Sequence, residues 1–571
     1  RGGWGMFSHP EQIRVAQSPE SVKDVLCQLD DCLKAGKYAA GFISYEAAVA
    51  FDRAFAVRAS TEFPAAWIGV YNVAPVKFDL TDDIHAWCGK LTPELTESEY
   101  SDRIAEIKDA IEAGNIYQAN YTFRSRGKSV LAPERLFLAL FAKHPMPYSA
   151  FVNCGECQIL SLSPELFLEK LGHKIISSPM KGTVCRAAEP ELDWKQAEFL
   201  SSDPKNRAEN LMIVDMVRND LGRICIPGSI IAEPLFQVDT YATLHQMIST
   251  VCGGLPEDIS VTQILQATFP AASITGAPKV AAMRIIRRRE TSPRKVYTGS
   301  IGCFMPGGDF CLNVAIRTLI CSDEQAELGI GGGIVNDSQA ETEWAEALLK
   351  SRFVESCAPE FYVLETMLWD GHKIKYLTEH LKRAEISQHY FARTWDARKT
   401  AAIVANAESE CLSRKYKYAR IRLRFDCSGS ILMELHPLLK QGWSDYPQVK
   451  VCDKQTDSHD IFLYYKTDCR DVYNREFKQG QQEGFDDVLF FNERDELTEG
   501  AISNVFVRLN GHWFTPPVTC GLLPGIWRAE MLEELMAEEK IIRQNDLKVA
   551  EKIIIGNSVR GSALVEQITG I

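Results

Sequence analysis

No stretch of the chain approaches the roughly 20 consecutive apolar residues that a membrane-spanning helix needs. The opening residues, RGGWGMFSHPEQ, contain no apolar core of a signal peptide. The sequence does not begin with Met, and we expect a few residues to precede it. Basic charge is in short supply: 63 Lys and Arg face 76 Asp and Glu, a net charge of −13. Nucleic acid and anionic membranes both require a basic face, so composition argues against either partner, while a basic pocket inside an acidic protein remains compatible with it. No internal repeat or low-complexity stretch is visible. CGEC at Cys154–Cys157 has no second cysteine pair and no His at ligand spacing, so a zinc or redox centre gives way to a turn between two strands. The 17 Cys are scattered through apolar runs (Cys252, Cys303, Cys311, Cys321) and follow no framework spacing. This suits buried, reduced thiols and a cytoplasmic location.

What is present is an ordinary globular composition, 46% hydrophobic and 24% charged. At 571 residues the chain is too long for one core. ESEYSDRIAEIKDAIEAG places Ile104, Ile107 and Ile111 at helical spacing and ends at Gly114, a natural cap. Short apolar strands and helices alternate up to WAEALLKSRFVES. Cys357-Ala358-Pro359 breaks that pattern, which sets a boundary at about 355–362 and domains at 1–357 and 358–571. The second domain opens as strand, turn at Asp370-Gly371, strand and helix. YARIRLRFDCSGSILMELHPL then alternates around Ser428-Gly429, the pattern of a hairpin. The fold class is α/β (α+β) in both domains.

Two lysines stand in unrelated settings: Lys181 in SSPMKGT and Lys466 in IFLYYKTDCR. Around the first, several segments hold polar or glycine residues where a core would want apolar ones. FPAASITGAPKVAAMRII is a hydroxyl-rich turn entering a helix, a backbone setting for anions. GIGGGIVNDSQAETEWAEALLK follows a glycine run with Glu343 and Glu346, three apart on one helix face. A small, multiply anionic substrate needs Arg and N–H donors, and separate carboxylates can hold a hard divalent cation.

The order GNIYQANYT, SPE, KGT, ENLMIVDMVRNDLGR, SITGAPK, AIRT, GGGIVNDS…E closely resembles the chorismate-utilising enzymes, over roughly residues 90–355 and more loosely before them. The resemblance implies a large domain of two facing β-sheets with helices outside. It implies Mg2+ between substrate and protein carboxylates, with Glu209 and Glu346 as ligands and Glu343 close by. It implies that Arg317 and the amides of Gly332 and Gly333 hold a substrate carboxylate. His245 would lie near the reacting ring, and Thr275 and Thr183 in the pocket. Lys181 resembles the lysine of the branch that aminates chorismate at C4; the anthranilate-forming branch usually has Ala there. In that branch the lysine would attack C2 and expel the C4 hydroxyl, leaving C4 open to ammonia. Ala271 and Ala272 depart from the glycine pair common in relatives, which bears on the local backbone.

From about 362 onward, HLKRAEIS, YARIRLRF, YYKTDCRDVYNR, LTEGAISNVF, CGLLPGIWR and GNSVRGS resemble the fold-type IV pyridoxal-phosphate enzymes. The resemblance implies a two-subdomain PLP enzyme. Lys466 would form the Schiff base and carry a proton, and Glu499 would pair with the pyridinium nitrogen. Arg383, the backbone at Ile526 and Trp527, and the hydroxyl of Ser558 would hold the phosphate. Ser503 and Asn504 would wall the ring. Trp513 departs from the aliphatic residue usual there. KTDCR-x-x-Y-N and NSVRG look more like the lyase that removes pyruvate from aminodeoxychorismate than like the aminotransferases.

The combined expectation is a two-step route from chorismate through aminodeoxychorismate to 4-aminobenzoate, for folate. No G-x-C-x-G nucleophile elbow occurs, so a separate glutamine amidotransferase subunit is the expected ammonia donor. Fold-type IV enzymes are often dimers around the PLP site, which makes a homodimer the natural assembly. Two rivals remain: an anthranilate synthase joined to an aminotransferase, against which Lys181 argues, and a non-catalytic C-terminal scaffold, against which Lys466, Glu499 and Arg383 argue.

Overall fold

The computed structural model describes residues 4–78, 91–128, 132–241, 244–322, 325–355, 361–391, 393–427, 429–445 and 447–570. It divides into two compact units. The first is Arg1–Cys185 with Ala197–Ala358; the second is Pro359–Ile571 with Arg186–Gln196. The expected boundary falls largely on 356–360, outside the described residues. The excursion of 186–196 has no signature in the periodicity. Within the second unit, Arg186 stacks over the Tyr390 ring at 4.0 Å and pairs with Asp193 at 2.7 Å. Ala188 packs with Tyr464, Tyr465 and Leu522.

The first unit is built on a nine-stranded and a seven-stranded sheet. Strand Tyr38–Ile43 shows why they face each other. Ile43 enters a core with the helices Val22–Lys34, Pro204–Gly222 and Val261–Thr268, while Phe42 turns the other way. There Phe42, Trp67 and Ile301 of the larger sheet meet Ile159 and Ile320 of the smaller. Successive side chains on a strand alternate faces, so both faces of Tyr38–Ile43 are buried. The outer face of the seven-stranded sheet is covered by Glu97–Glu112, Pro133–Lys143, Lys279–Arg289 and Ala340–Leu349. Glu97–Glu112 is the expected helix, with a Thr96/Glu99 capping box at its start and Gly114 at φ +74 beyond its end. A third, three-stranded sheet runs Met180–Cys185, Leu244–Ile248, Gln237–Thr240. Ala271 sits at φ −54 and Ala272 in a 3-10 turn, so neither needs the conformation that would have demanded glycine.

The second unit holds three sheets, of three, four and five strands. Val363–Trp369, Ala419–Phe425 and Ile431–Pro437 form the first, and the last two are the expected hairpin, whose turn residue Ser428 lies outside the described residues. The strand expected after Asp370-Gly371 shrinks to one bridge, Trp369 with Ile374, before the helix Leu377–Tyr390. Trp513 is absorbed into an apolar cluster with Phe506, Trp527 and Met531. No helix among the described residues is long and apolar enough to cross a membrane.

Candidate active sites

A cavity of about 470 Å³ in the first unit gathers Lys181, Thr183, Glu209, Arg317, Gly332, Gly333, Glu343 and Glu346. Lys181 reaches it through an irregularity in its strand. Met180–Cys185 pairs with Leu244–Ile248, but the register shifts between Met180 and Thr183, and Gly182 takes φ +100. A bulge of this kind re-aims a side chain. The amide of Asn210 then clamps the backbone, donating to the carbonyl of Lys181 at 3.1 Å. The Lys181 amine lies 3.2 Å from Glu209, which projects from Pro204–Gly222.

The opposite wall is the glycine run of strand Gln325–Ile334, hydrogen-bonded along Gln118–Lys128. A Cβ on Gly333 would lie 2.6 Å from Lys181 Nζ and 2.8 Å from Gln118 Nε2, so the missing side chain is the room the lysine uses. At Gly332 a Cβ would come within 3.3 Å of Glu343 Oε2. Arg317, a non-glycine residue at φ +48, is half-buried here, and desolvation lowers its pKa to about 10. Among the described residues it forms no ion pair with a carboxylate, which leaves an anion site for a ligand.

The acids of this cavity differ in state. Burial pushes Glu165 up to about 7, although the Ser273 hydroxyl donates to it at 2.6 Å. Burial also raises Glu343, which accepts from Ser338 at 2.7 Å. Lys350, 2.8 Å away, lowers Glu346. Glu209, Glu343 and Glu346 are hard oxygen donors on one cavity. They do not converge as a trio: the one group of three whose ligand atoms lie within 4.8 Å of one another, among the described residues, is exposed Asp457, His459 and Glu493. A magnesium ion here fits the mode in which one or two protein carboxylates are completed by substrate oxygens and water.

Two expected residues lie off this wall. His245 is on Leu244–Ile248, but the cavity is lined by its neighbours Leu244 and Gln246, which share the opposite face. His245 Nδ1 is instead 2.9 Å from the Thr240 hydroxyl. Thr275 is fully buried, and its hydroxyl donates to the carbonyls of Ala271 and Ala272, tying the turn.

The second unit holds a cavity of about 390 Å³ lined by all eight expected residues: Lys466, Glu499, Arg383, Ser503, Asn504, Ile526, Trp527 and Ser558. Lys466 follows the turn Ile461–Leu463, and its carbonyl accepts from the amide of Leu364. Burial, then Arg470 and Arg383, lower its pKa to about 7. Glu499, on strand Leu497–Gly500, is raised to about 7 by burial; Asn504 donates to it at 3.3 Å and Arg470 lies 3.8 Å away. Arg383 is locked by two hydrogen bonds of 2.9 and 2.7 Å to Glu365, which His380 meets at 2.6 Å. Burial would raise Glu365, but these two partners hold it at about 2. Ile526 and Trp527 open the helix Ile526–Glu534, whose N–H groups suit a phosphate. Trp527 is fixed by its Nε1–H on Ser562 at 3.0 Å and by contact with Gly556, where a Cβ would lie 2.3 Å from its ring. A half-buried near-neutral lysine, a buried carboxyl able to share a proton, and a cationic and N–H-rich end fit PLP.

Sequence reasoning missed Arg420, Arg422 and Arg470 on the same wall. The signal was in ARIRLRF, where Arg alternates with buried Ala, Ile, Leu and Phe. That alternation reads as a hairpin, and it is also a row of guanidinium groups. It missed Glu365 and Asn210 as well.

The sequence profile of the chorismate binding enzymes matches residues 6–356, and that of class IV amino-transferases matches residues 362–568. Aminodeoxychorismate synthase component 1 of Escherichia coli (strain K12) is 38% identical over 286 residues, covering 50% of this chain and 62% of that protein. Aminodeoxychorismate synthase of Streptomyces griseus is 41% identical over 268 residues, 47% of this chain and 36% of that protein. The chain thus spans under two thirds of the length of these relatives. In fold, its first part is similar to anthranilate synthase component I from Streptococcus pneumoniae TIGR4, with a TM-score of 0.53 and 24% identity over 62% of this chain and 94% of that one. With a chorismate-binding domain followed by a class IV amino-transferase domain, the chain belongs to the chorismate binding enzymes.

Proposed function

We propose that the chain makes 4-aminobenzoate from chorismate in two steps, one in each cavity. The observation that carries this reading is the Lys181 amine in the first cavity, 3.2 Å from Glu209 and in the space left by Gly333. An anthranilate-forming site has no need of a nucleophile there. One carboxylate of chorismate would meet Arg317 and the amides of Gly332 and Gly333. Lys181 gives up a proton to solvent, and the amine attacks C2 as the C4–oxygen bond breaks. Glu165, held protonated near neutrality by burial, is the acid in this cavity suited to give the departing hydroxide its proton. Ammonia then adds at C4, the C2–nitrogen bond breaks, and the pair of electrons returns to Lys181. Mg2+ on Glu209 and Glu346 would neutralise a substrate carboxylate and fix the ring. The ammonia would come from a glutamine amidotransferase subunit.

In the second cavity, Arg383, the start of the helix at Ile526 and Ser558 would bind the phosphate of PLP, with Glu499 at the ring nitrogen. PLP, when bound, supplies the sink for the electrons left at C4. Lys466 Nζ, near-neutral at pH 7, accepts the C4 proton. The bond to the enolpyruvyl oxygen breaks, the ring becomes aromatic, and the side chain leaves as pyruvate after protonation on carbon. Arg420, Arg422 and Arg470 give this cavity the cationic wall that a doubly carboxylated substrate needs. The free thiols among the described residues accord with a reducing cytoplasm.

The test is incubation of the full chain with chorismate, Mg2+, an ammonium salt and PLP, with products identified by mass and fluorescence. Wild type should give 4-aminobenzoate and pyruvate, Lys181→Ala neither, and Lys466→Ala aminodeoxychorismate alone. Anthranilate as product, or an unaffected Lys466→Ala, would overturn the reading.

A further inference from the structure

The hairpin Tyr148–Asn153 to Gln158–Ser163 ends in Cys154-Gly155-Glu156-Cys157, far along the strand from the Pro164-Glu165 end that reaches the first cavity. Gly155 takes φ +93, a turn in which the first central residue must be permissive, and the Cys154 amide donates to the Cys157 carbonyl at 3.0 Å. The two cysteines thus face each other across the turn, one residue beyond the last paired residues Asn153 and Gln158. Residues facing each other at the end of a hairpin hold their Cα atoms about 4.5–5.5 Å apart, inside the range that a disulfide spans. Their sulfurs already lie 2.6 Å from each other, closer than two non-bonded sulfurs rest. Cys154 is partly exposed, while Cys157 is buried among Phe42, Trp67, Ile159 and Ile320. The sulfur contact lowers the Cys154 thiol and raises that of Cys157, so the accessible sulfur is the readier of the two to lose its proton.

We propose that Cys154 and Cys157 are a reversible dithiol–disulfide pair, modified by exchange with a low-molecular-weight or protein disulfide. Cys154 loses its proton to solvent and attacks one sulfur of the incoming disulfide, whose other half leaves as thiolate and takes up a proton. The buried Cys157 then loses its proton and attacks the Cys154 sulfur, releasing the second thiol. One external disulfide is reduced to two thiols, and one protein disulfide forms. This chemistry is independent of the reaction proposed for the cavities, because neither cysteine lines either one.

The test is incubation of the full chain in glutathione buffers from fully reduced to fully oxidised, followed by iodoacetamide and peptide mass analysis. The peptide spanning both cysteines should lose two hydrogens and both alkylation sites together as the buffer becomes oxidising, and regain them with dithiothreitol. In Cys154→Ser the loss of two hydrogens should vanish. Two alkylated cysteines at every ratio would overturn the proposal. So would protection by a bound soft metal ion without hydrogen loss, removable by chelator. A disulfide at Cys157 surviving in Cys154→Ser would overturn it as well.

Discussion

Lys466 is a residue whose chemistry the fold alters strongly. Its pKa falls from 10.5 to about 7, through burial first and then the positive charges of Arg470 and Arg383. At roughly 1.4 kcal/mol per unit, holding the proton in this cavity costs about 5 kcal/mol relative to water. At pH 7 about half of such an amine is neutral, against roughly one part in a few thousand for an ordinary lysine, so the fold raises the reactive fraction about 10³-fold. The perturbation is Arg470→Gln, which removes the larger of the two charge effects and leaves burial in place. The Lys466 midpoint should then rise by about one unit, without returning to 10. The assay is competitive carbamylation of PLP-free chain by cyanate across pH, with the Lys466 peptide quantified against exposed lysines. Because the folded pKa lies below the unfolded one, the unfolded chain holds the extra proton between about pH 7 and 10.5. The contribution of Lys466 to stability therefore rises with pH across that window and is least favourable below it. A wild-type midpoint near 10, or one unmoved in Arg470→Gln, would refute the reasoning.

Other outcomes follow from the same geometry. Gly333→Ala should fold, because its Cβ meets the movable ends of Lys181 and Gln118, yet should cut amination of chorismate by about 10²-fold or more through displacement of the amine; turnover of supplied aminodeoxychorismate should be unchanged. Arg422→Met should raise the KM for aminodeoxychorismate about tenfold or more with a smaller change in kcat, if that guanidinium holds a substrate carboxylate. Glu365→Gln leaves Arg383 without its buried counter-charge and should destabilise the second unit by about 3–5 kcal/mol, read in urea melts of PLP-free chain. Since Glu365 is depressed to about 2, its stabilisation is fully present above about pH 4.5 and is lost as pH falls towards 2. The difference between wild type and Glu365→Gln should shrink over that interval.

The sequence was most legible where chemistry is written in short local runs. Lys181 beside Gly-Thr, Glu343 three residues before Glu346, and Lys466 and Glu499 all line one or the other cavity. What stayed hidden depends on parity and on distant chain. His245 lies on the strand Leu244–Ile248, but which face a strand residue takes is set by register, and the shift between Met180 and Thr183 is invisible in composition. Arg420 and Arg422 alternate in plain view, yet only the arrival of Lys466 from some forty residues on makes their face a cavity wall. Glu365 became an anchor because a helix brought His380 and Arg383 over its strand.

The detour of residues 186–196 has a consequence for how the molecule can be built. These eleven residues are synthesised long before the body they belong to, and Arg186 has to wait for Tyr390, some two hundred positions later, to emerge. The second unit is thus discontinuous in the gene. A fragment starting at 359 carries the Lys466 cavity but lacks Arg186, Ala188 and Asp193, and it leaves Tyr390 and Tyr465 partly uncovered. Cutting the chain at its apparent seam yields one piece with an unsupported segment, part of the helix Pro190–Ser202, and another with an exposed aromatic patch. Supplying 186–196 as a tethered segment should restore to the second piece what a simple truncation takes away.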